Sequence, residues 1–369
     1  MNMQVLKNDE KAIFEMRTLY RKYGYSQYKM SKFEEYDLYV RNKDFLVSDN
    51  IITFTDTDGK LMALKPDVTL SIIKNTSESE NTVQKVYYNE NVYRVSKGTH
   101  SYKEIMQVGL ECIGAIDDYC IYEVIMLAAK SLENVSENFV LDISHMGIVS
   151  GVMDSLGISH SGRKQLAKCI GEKNLHGITA VCQAEGVDGE ALKKLVSVYG
   201  STDKVLPVLE SIGLDRSDKD VSNLVKVVSA LEACGFKDKI RIDFSVISDM
   251  KYYNGFVFKG FIEGISESIL SGGQYDRLME KVGKNCGAIG FAVYLDMLER
   301  LCENTSEYDV DSVILYDEGC DLTALNNAIS MLTANGKTVM AQKAVPEKIT
   351  YKQLLRVNEK GVEIIENNA

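Results

Sequence analysis

The sequence contains no apolar run of the roughly 18 to 20 residues that a membrane-spanning helix requires. Residues 1–10 carry charges and lack the apolar centre of a secretory signal peptide. Low-complexity tracts and internal repeats are missing as well. We therefore expect a soluble, cytoplasmic protein.

Residue patterns typical of metal sites are also missing. The eight cysteines form no C-x-x-C pair, and most of them lie in apolar segments, where cysteine behaves as a small hydrophobic residue. The four histidines show no H-x-x-x-H spacing. These absences predict structural thiols, no metal site and no cofactor.

Positive charge is in short supply, with 42 Lys and Arg against 53 Asp and Glu and a formal net charge of −11. A nucleic-acid partner is disfavoured, because the mean field of an acidic protein repels a polyanion unless a local basic patch overcomes it. A chain of 369 residues with 45% hydrophobic residues can bury one large core and a smaller second one.

The pattern of apolar residues divides the chain into four segments. Residues 1–144 begin with an amphipathic helix and continue with strands typical of an antiparallel sheet, including a hairpin signal at Asp58-Gly59. Residues 145–237 have helical periodicity and indicate a helical insertion. The predicted elements of the first segment are a helix over 9–23, strands over 51–55, 61–64, 85–95 and 104–114, a helix over 121–134 and a strand over 139–143.

Strand signals return in residues 238–304, which we interpret as the second part of the sheet domain. Here the expected elements are a strand over 240–247, a hairpin over 252–258 with Asn254-Gly255 at its turn, a strand over 266–270 and a final helix over 290–302. Residues 305–369 alternate strand, helix and strand over 312–316, 322–335 and 337–342, the pattern of a small α/β appendage.

A candidate ligand-binding strand spans residues 104–114. Its period of two places Met106, Val108, Leu110 and Cys112 on one face, and a polar set on the other: Gln107, Gly109 and Glu111. The polar face is either the solvated outside of an antiparallel sheet or, with the glycine keeping the sheet open, the floor of a polar pocket. A carboxylate in such a pocket would suit an amino group.

Two further segments have a structural and a functional interpretation. Tyr252 and Tyr253 point to opposite sides of an extended chain, so one ring can enter the core while the other lines a cavity. Residues 271–276 form either a simple turn or a segment whose two glycines let a small ligand approach the backbone closely.

Taken together, six short segments resemble the catalytic domain of class II histidyl-tRNA synthetases over roughly residues 9–302. They are 63–69 (ALKPDVT), 93–94 (YR), 107–111 (QVGLE), 252–255 (YYNG), 272–276 (GGQYD) and 290–292 (GFA). The resemblance implies an α+β fold, in which an antiparallel sheet of the class II aminoacyl-tRNA synthetase type is flanked by helices. Residues 143–148 resemble the family segment that opens the helical insertion.

Several catalytic positions depart from the synthetase pattern. The arginine that precedes the double tyrosine by four residues is replaced by Ser248, and the ATP-binding arginine of the third class II motif is replaced by Met297. In the second motif the acidic residue is replaced by Ser96 and the loop 97–103 lacks its usual arginines, while the first motif has Ser31 where proline is usual. Each lost charge costs about 3 to 4 kcal/mol of transition-state stabilisation. We therefore expect no adenylate formation.

The amino-acid side of the family's pocket is largely retained. The resemblance assigns Asp67, Gln107 and Glu111 to the region of the ligand's ammonium group, and Tyr253, with Tyr252 nearby, to its imidazole. The histidine-binding set that the resemblance implies is Asp67, Arg94, Gln107, Glu111, Tyr252 and Tyr253.

A histidine pocket without the ATP half resembles the regulatory subunits of ATP phosphoribosyltransferase, which are paralogues of the synthetases. The resemblance implies three partners: the short-form catalytic subunit, L-histidine as effector, and a second copy of the chain within a hetero-oligomer. Only residues 303–369 follow the core, whereas the synthetases append an anticodon-binding domain of about 100 residues. An active histidyl-tRNA synthetase and a stand-alone histidine-binding protein are the alternatives. Lys65 and Gln274 stand where family members often carry arginine, which leaves the histidine affinity open.

Overall fold

The computed structural model describes residues 7–42, 51–76, 82–95, 100–247, 253–301, 308–358 and 361–368. The chain forms two compact units, Met1–Leu301 and Cys302–Ala369. In these described ranges, no helix combines the length and apolarity of a membrane-spanning segment.

The first unit begins with elements that build and cover the sheet. The helix α1 buries Ala12, Met16 and Tyr20 at a spacing of four residues, so one face of the helix enters the core. The elements up to the insertion are α1 (Asn8–Lys22), β1 (Ser26–Gln27), β2 (Phe33–Glu35), α2 (Tyr36–Arg41), β3 (Thr53–Thr55), β4 (Leu61–Leu64), α3 (Thr69–Asn75), β5 (Val83–Val95), β6 (Tyr102–Gly114), α4 (Asp118–Glu133) and β7 (Phe139–His145).

A run of helices follows β7 before the chain returns to the sheet. Its apolar faces supply buried residues such as Leu166, Ile170, Leu195 and Leu224 to the main core. The elements are α5 (Met146–Ser155), α6 (His160–Gly171), α7 (Leu175–Glu185), α8 (Glu190–Ser197), β8 (Tyr199–Gly200), α9 (Thr202–Ser211), α10 (Lys219–Leu231) and a π-helical turn (Glu232–Phe236). The remaining elements of this unit are β9 (Ile240–Asp243), β10 (Phe256–Ile262), β11 (Leu270–Gln274), α11 (Asp276–Lys281), β12 (Gly287–Tyr294) and a 3₁₀ helix (Leu295–Leu301).

Nine strands form the main sheet, in the order β1-β5-β6-β12-β11-β10-β7-β9-β8. The pairs β1/β5 and β7/β9 are parallel and the others are antiparallel. A separate three-stranded antiparallel sheet has the order β2-β4-β3. The architecture confirms the predicted α+β class, a large antiparallel sheet flanked by helices.

The two faces of the main sheet belong to different cores. One face supplies Val108, Leu110 and Phe291 to the main core, which also contains buried residues of α1 and α4. The opposite face supplies Tyr88 and Ala288 to a smaller core that also includes buried residues of α3 and α11. Because both faces are covered, polar groups on the second face lie inside the protein.

The second unit contains a four-stranded sheet in the order β14-β13-β15-β16. Buried Ile314, Leu325 and Leu355 form its core with neighbouring apolar side chains. Its elements are β13 (Val310–Leu315), α12 (Leu322–Ala334), β14 (Val339–Gln342), β15 (Tyr351–Asn358) and β16 (Gly361–Asn367).

Three local predictions in 238–304 are wrong. Asn254-Gly255 does not form the turn of a hairpin, because β7 lies between β9 and β10 in the sheet. The strand expected over 266–270 begins only at Leu270, so the glycines of 271–276 lie in a strand and not in a turn. The helix expected over 290–302 is strand β12 followed by a short 3₁₀ helix. A strand that is buried on both faces lacks the alternation that distinguishes it from a helix.

Candidate functional site

The floor of the candidate site is a row of small residues on the second face of the sheet. Gly273 of β11 pairs with Gly290 of β12, and Gly290 pairs with Glu111 of β6. A Cβ on Gly290 would collide with the Glu111 carboxylate, and one on Gly273 would lie 2.6 Å from the ring of Tyr253. Glycine at these two positions therefore makes room for the functional side chains above the sheet.

Glu111 is only 2% exposed and is held by two hydroxyl groups. Thr69 Oγ1 donates a hydrogen bond to Glu111 Oε1 at 2.9 Å, and the Tyr275 hydroxyl donates to Oε2. Burial raises the pKa of Glu111 to about 8, although both hydroxyl donors oppose the rise. The carboxyl group is therefore fixed in place but easily protonated, and a cationic ligand would favour its ionised form.

Asp67 lies at the start of α3, close to Glu111. Its Oδ1 accepts a hydrogen bond from the backbone N–H of Leu70 at 3.0 Å. Burial raises its pKa, whereas the Leu70 N–H and the positive charge of Arg94 lower it. Arg94 Nε also donates to the Pro66 carbonyl at 3.1 Å, so the arginine is attached to the segment that carries Asp67.

Gln107 occupies the same face of β6 as Glu111, with Gly109 between them, on the side towards Arg94. It pairs across the sheet with Tyr294 of β12 and with Glu90 of β5. The side chain is 3% exposed, and among the described residues its Nε2 has no hydrogen-bond partner. The polar face of β6 is therefore not a solvated outer surface, and of the two interpretations of this strand the buried polar floor is the one the structure favours.

Two tyrosines lie close to Glu111 and Asp67. The ring of Tyr253 lies against Gly273, and burial raises the pKa of its hydroxyl well above the ordinary value, as do nearby Tyr294, Glu111 and Asp67. Tyr88 is fully buried, and its hydroxyl donates to the Phe291 carbonyl at 3.4 Å. These phenols make one side of the pocket aromatic and polar.

The structure thus brings together Asp67, Glu111 and Tyr253, with Gln107 and Arg94 adjacent. Tyr252, the sixth residue of the expected set, lies outside the described residues. Sequence reasoning did not single out Thr69, Tyr275, Tyr88 and Tyr294. Thr69 and Tyr275 lie within the 63–69 and 272–276 segments, so that signal was available, whereas nothing in the sequence marks Tyr88 or Tyr294.

A cavity of about 450 Å³ lies beside these residues and includes Arg94 in its lining. It is lined by Arg94, Ile105, Lys259, Phe261, Glu267, Ser268, Tyr294, Asp296 and Met297. Met297 stands where the resemblance places the ATP-binding arginine, and it lines the same cavity as Arg94. The other departures from the synthetase's nucleotide-binding positions include Ser248 and residues 96–99. These lie outside the described residues.

The remaining departures have structural partners of their own. Ser31 Oγ accepts from the backbone N–H of Phe33 at 3.3 Å. Lys65 is fully buried in an ion pair of 2.9 Å with Glu90, and burial lowers its pKa. Gln274 Nε2 donates to Asp276 Oδ2 at 2.7 Å. Neither Lys65 nor Gln274 contributes a charge to the adjoining cavity.

Comparison with known proteins places this arrangement in a family. The chain is 27% identical to an ATP phosphoribosyltransferase regulatory subunit from Ruminiclostridium cellulolyticum, over 82% of this chain and 75% of that protein. It is 26% identical to a protein of the same description from Oceanobacillus iheyensis, over 96% of this chain and 89% of that protein.

Solved structures show the same fold. A protein from Bacillus halodurans described as an ATP phosphoribosyltransferase regulatory subunit/histidyl-tRNA synthetase superposes with a TM-score of 0.77 and 22% identity, over 95% of this chain and 93% of that one. A chain of the ATP phosphoribosyl transferase (HisG:HisZ) complex from Thermotoga maritima gives 0.62 and 20%, over 79% of this chain and 98% of that one. The sequence model of histidyl-tRNA synthetase matches residues 4–298. The chain belongs to the histidyl-tRNA synthetase family.

Proposed function

We propose that this chain is a regulatory subunit of ATP phosphoribosyltransferase, that it catalyses no reaction itself, and that it responds to L-histidine. In this role it acts in the first step of histidine biosynthesis, in the cytoplasm, paired with a second copy of itself and with the short-form catalytic subunit. The names of the similar proteins support the subunit role.

The observation that supports the proposal most strongly is the burial and orientation of the Glu111 carboxyl group. It is a buried carboxyl group, oriented by Thr69 and Tyr275 above a floor of glycines. Asp67 adds a second acidic group, and Tyr253 adds an aromatic wall. A ligand with an ammonium group and an imidazole ring of histidine size complements these features, because charge-assisted hydrogen bonds to a buried carboxylate contribute about 1.5 to 3 kcal/mol.

Met297 supports the proposal that the chain catalyses no reaction. The cavity beside the pocket offers a thioether where the synthetase motif has an arginine. A thioether cannot offset the charge of a triphosphate, and loss of one preorganised charge of this kind costs about 3 to 4 kcal/mol in the transition state. A polar amino-acid pocket next to a weakened nucleotide half suits a sensor of the free amino acid.

The test is reconstitution with the short-form catalytic subunit, with phosphoribosyl transfer to ATP as the readout. We expect activity to depend on this chain and to fall when L-histidine is added. Glu111→Gln should keep the activation and lose the response to histidine, because the neutral amide cannot pair with the ammonium group.

Glu123→Gln is the matched control. Glu123 is another buried carboxyl group, and it lies on α4, where it accepts from the Tyr25 hydroxyl and pairs with Lys85. It should leave the histidine response intact. A catalytic subunit whose activity is unchanged by this chain, with and without histidine, would contradict the proposal. Histidine-dependent exchange between ATP and pyrophosphate would instead identify an active synthetase.

A further inference from the structure

Strand β12 presents one large side chain to the site. Alternate residues of a strand share a face, so the side chains beside Gly290 are those of Ala288, Ala292 and Tyr294. The first two are small, and the third ends the row with a phenol. The Tyr294 hydroxyl lies 2.8 Å from Ser271 Oγ on neighbouring β11, which fixes the ring by a hydrogen bond.

Tyr294 has the amino-acid pocket on one side and the adjoining cavity on the other. On the pocket side it pairs across the sheet with Gln107, and its phenol is close enough to Tyr253 and Tyr88 to raise the pKa of both. On the other side it lines the 450 Å³ cavity together with Arg94 and Lys259. The ring therefore stands between the residues proposed to bind the amino acid and this cavity.

We propose that Tyr294, held by Ser271, is a specificity-determining partition that limits the ligand at its carboxyl end. The chain then binds free L-histidine and rejects histidine that carries a bulky ester or amide substituent on its carboxyl group. This inference rests on the proposed function and deepens it, since it names which form of histidine the pocket accepts.

The charges around the junction give the ligand its direction. The acidic groups Asp67 and Glu111 lie at the pocket end and attract the ammonium group. Arg94, which also lies near Asp67, and Lys259 line the cavity and attract the carboxylate, with Glu267 as an acidic neighbour in the same lining. A substituent on the carboxyl carbon would therefore extend towards the tyrosine ring.

The test compares two probes of equal charge and different size, L-histidinamide and the benzylamide of L-histidine, by calorimetric titration into the full-length chain. Both lack the carboxylate, so their ratio reports on space and not on charge. In the wild type the small amide should bind at least about tenfold more tightly than the benzylamide. Tyr294→Ala should reduce this ratio to near one, and Ser271→Ala should reduce it to a smaller extent.

Tyr119→Ala is the control, because this tyrosine on α4 is 59% exposed and its ring lies beside Tyr122 and Lys85. It should keep the wild-type ratio. A wild type that binds both amides equally, or a ratio that neither Tyr294→Ala nor Ser271→Ala changes, overturns the partition while leaving the proposed function intact. If Tyr294→Ala fails to fold, Ser271→Ala alone decides. A wild type that does not bind L-histidine overturns the proposed function and the partition with it.

Discussion

The proposed amino-acid pocket and the cavity beside it share strand β12 but differ in how their polar groups are supported. In the pocket, Glu111 receives two hydroxyl donors and rests above Gly290. In the cavity, Met297 faces Arg94 with no side-chain amide or charge of its own. The difference agrees with the proposal that the chain keeps the amino-acid half of a synthetase-type site without the nucleotide half, because the two groups of residues have different supporting neighbours.

The largest effect is expected where the pocket floor is altered. Gly290→Ala would place a methyl group in the position of the Glu111 carboxylate. Histidine affinity should fall about 100-fold, and the free energy of unfolding should drop by about 1 to 3 kcal/mol because the site is overpacked. Calorimetric titration and urea unfolding measure the two effects.

Gly151→Ala is the control for this change. Gly151 lies in α5, where an added methyl group would have nothing within 4 Å, and alanine is the better helix former. It should leave binding unchanged and the protein slightly more stable. Wild-type histidine binding by Gly290→Ala would show that Glu111 is not part of the binding surface.

The next largest expected effect is the pH dependence of histidine affinity. Glu111 has a folded-state pKa of about 8, raised from its ordinary value of 4.5 by burial, so histidine must displace a proton from it below pH 8. Affinity for L-histidine should therefore rise with pH, by up to about tenfold per unit below that value. Calorimetry in buffers with different heats of ionisation should detect the released proton, and a pH-independent affinity would contradict the assignment.

Glu111 also makes the free energy of unfolding depend on pH, and this dependence runs opposite to that of the histidine affinity. Between pH 4.5 and about 8 the folded protein retains a proton that the unfolded chain loses. The contribution of Glu111 to the free energy of unfolding therefore decreases as pH rises through this window. Glu111→Gln should flatten this part of the profile in urea unfolding, and a decline as steep as in the wild type would assign the effect to another group.

A smaller effect is expected at the cavity end. Arg94→Ala removes the positive charge near Asp67 and the hydrogen bond to Pro66. Histidine affinity should fall about tenfold, since one partly screened charge-assisted contact is lost. Arg41→Ala, whose side chain is 79% exposed, should bind as the wild type does. Equal losses in both variants would point to a general effect of net charge.

The smallest effect on histidine affinity is expected from a substitution in the core of the second compact unit. Leu355→Ala opens a cavity in the core of that unit and should cost it about 2 to 5 kcal/mol, visible as faster amide hydrogen exchange in β15. Histidine affinity should stay within about twofold, because the substitution alters a different hydrophobic core from the one that contains Tyr253. Ile365→Ala, at a position that is 47% exposed, should change neither property. Loss of histidine binding in Leu355→Ala would show that the two units are coupled.

Part of this site follows from local sequence pattern. The alternation in β6 predicts which residues share a face, because each strand has a period of two. The pattern cannot tell that Gln107 and Glu111 are buried, since their cover comes from distant parts of the chain such as α3 and α11. The family resemblance supplies that information, because it fixes which distant segments meet.

The errors have a common physical origin in long-range pairing. Asn254-Gly255 has the composition of a tight turn, but β10 pairs with β7, more than a hundred residues earlier in the chain. Residues 287–294 resemble a helix in sequence because both of their faces are buried and almost every position is apolar. Tyr294 could not be singled out because its role depends on Ser271 and Gln107, which lie on two other strands.

The pairing of Gly273 with Gly290 means that the base of the pocket is main chain. Side chains at the base of a pocket can change its depth by changing rotamer. Backbone at the base keeps the depth that the pleat of the sheet sets. The depth of this pocket can therefore change only in increments of a whole methyl group, by replacement of a glycine. In the proposed pocket, the room for a ligand at this end is therefore set by the two glycines and by the strand register that pairs them.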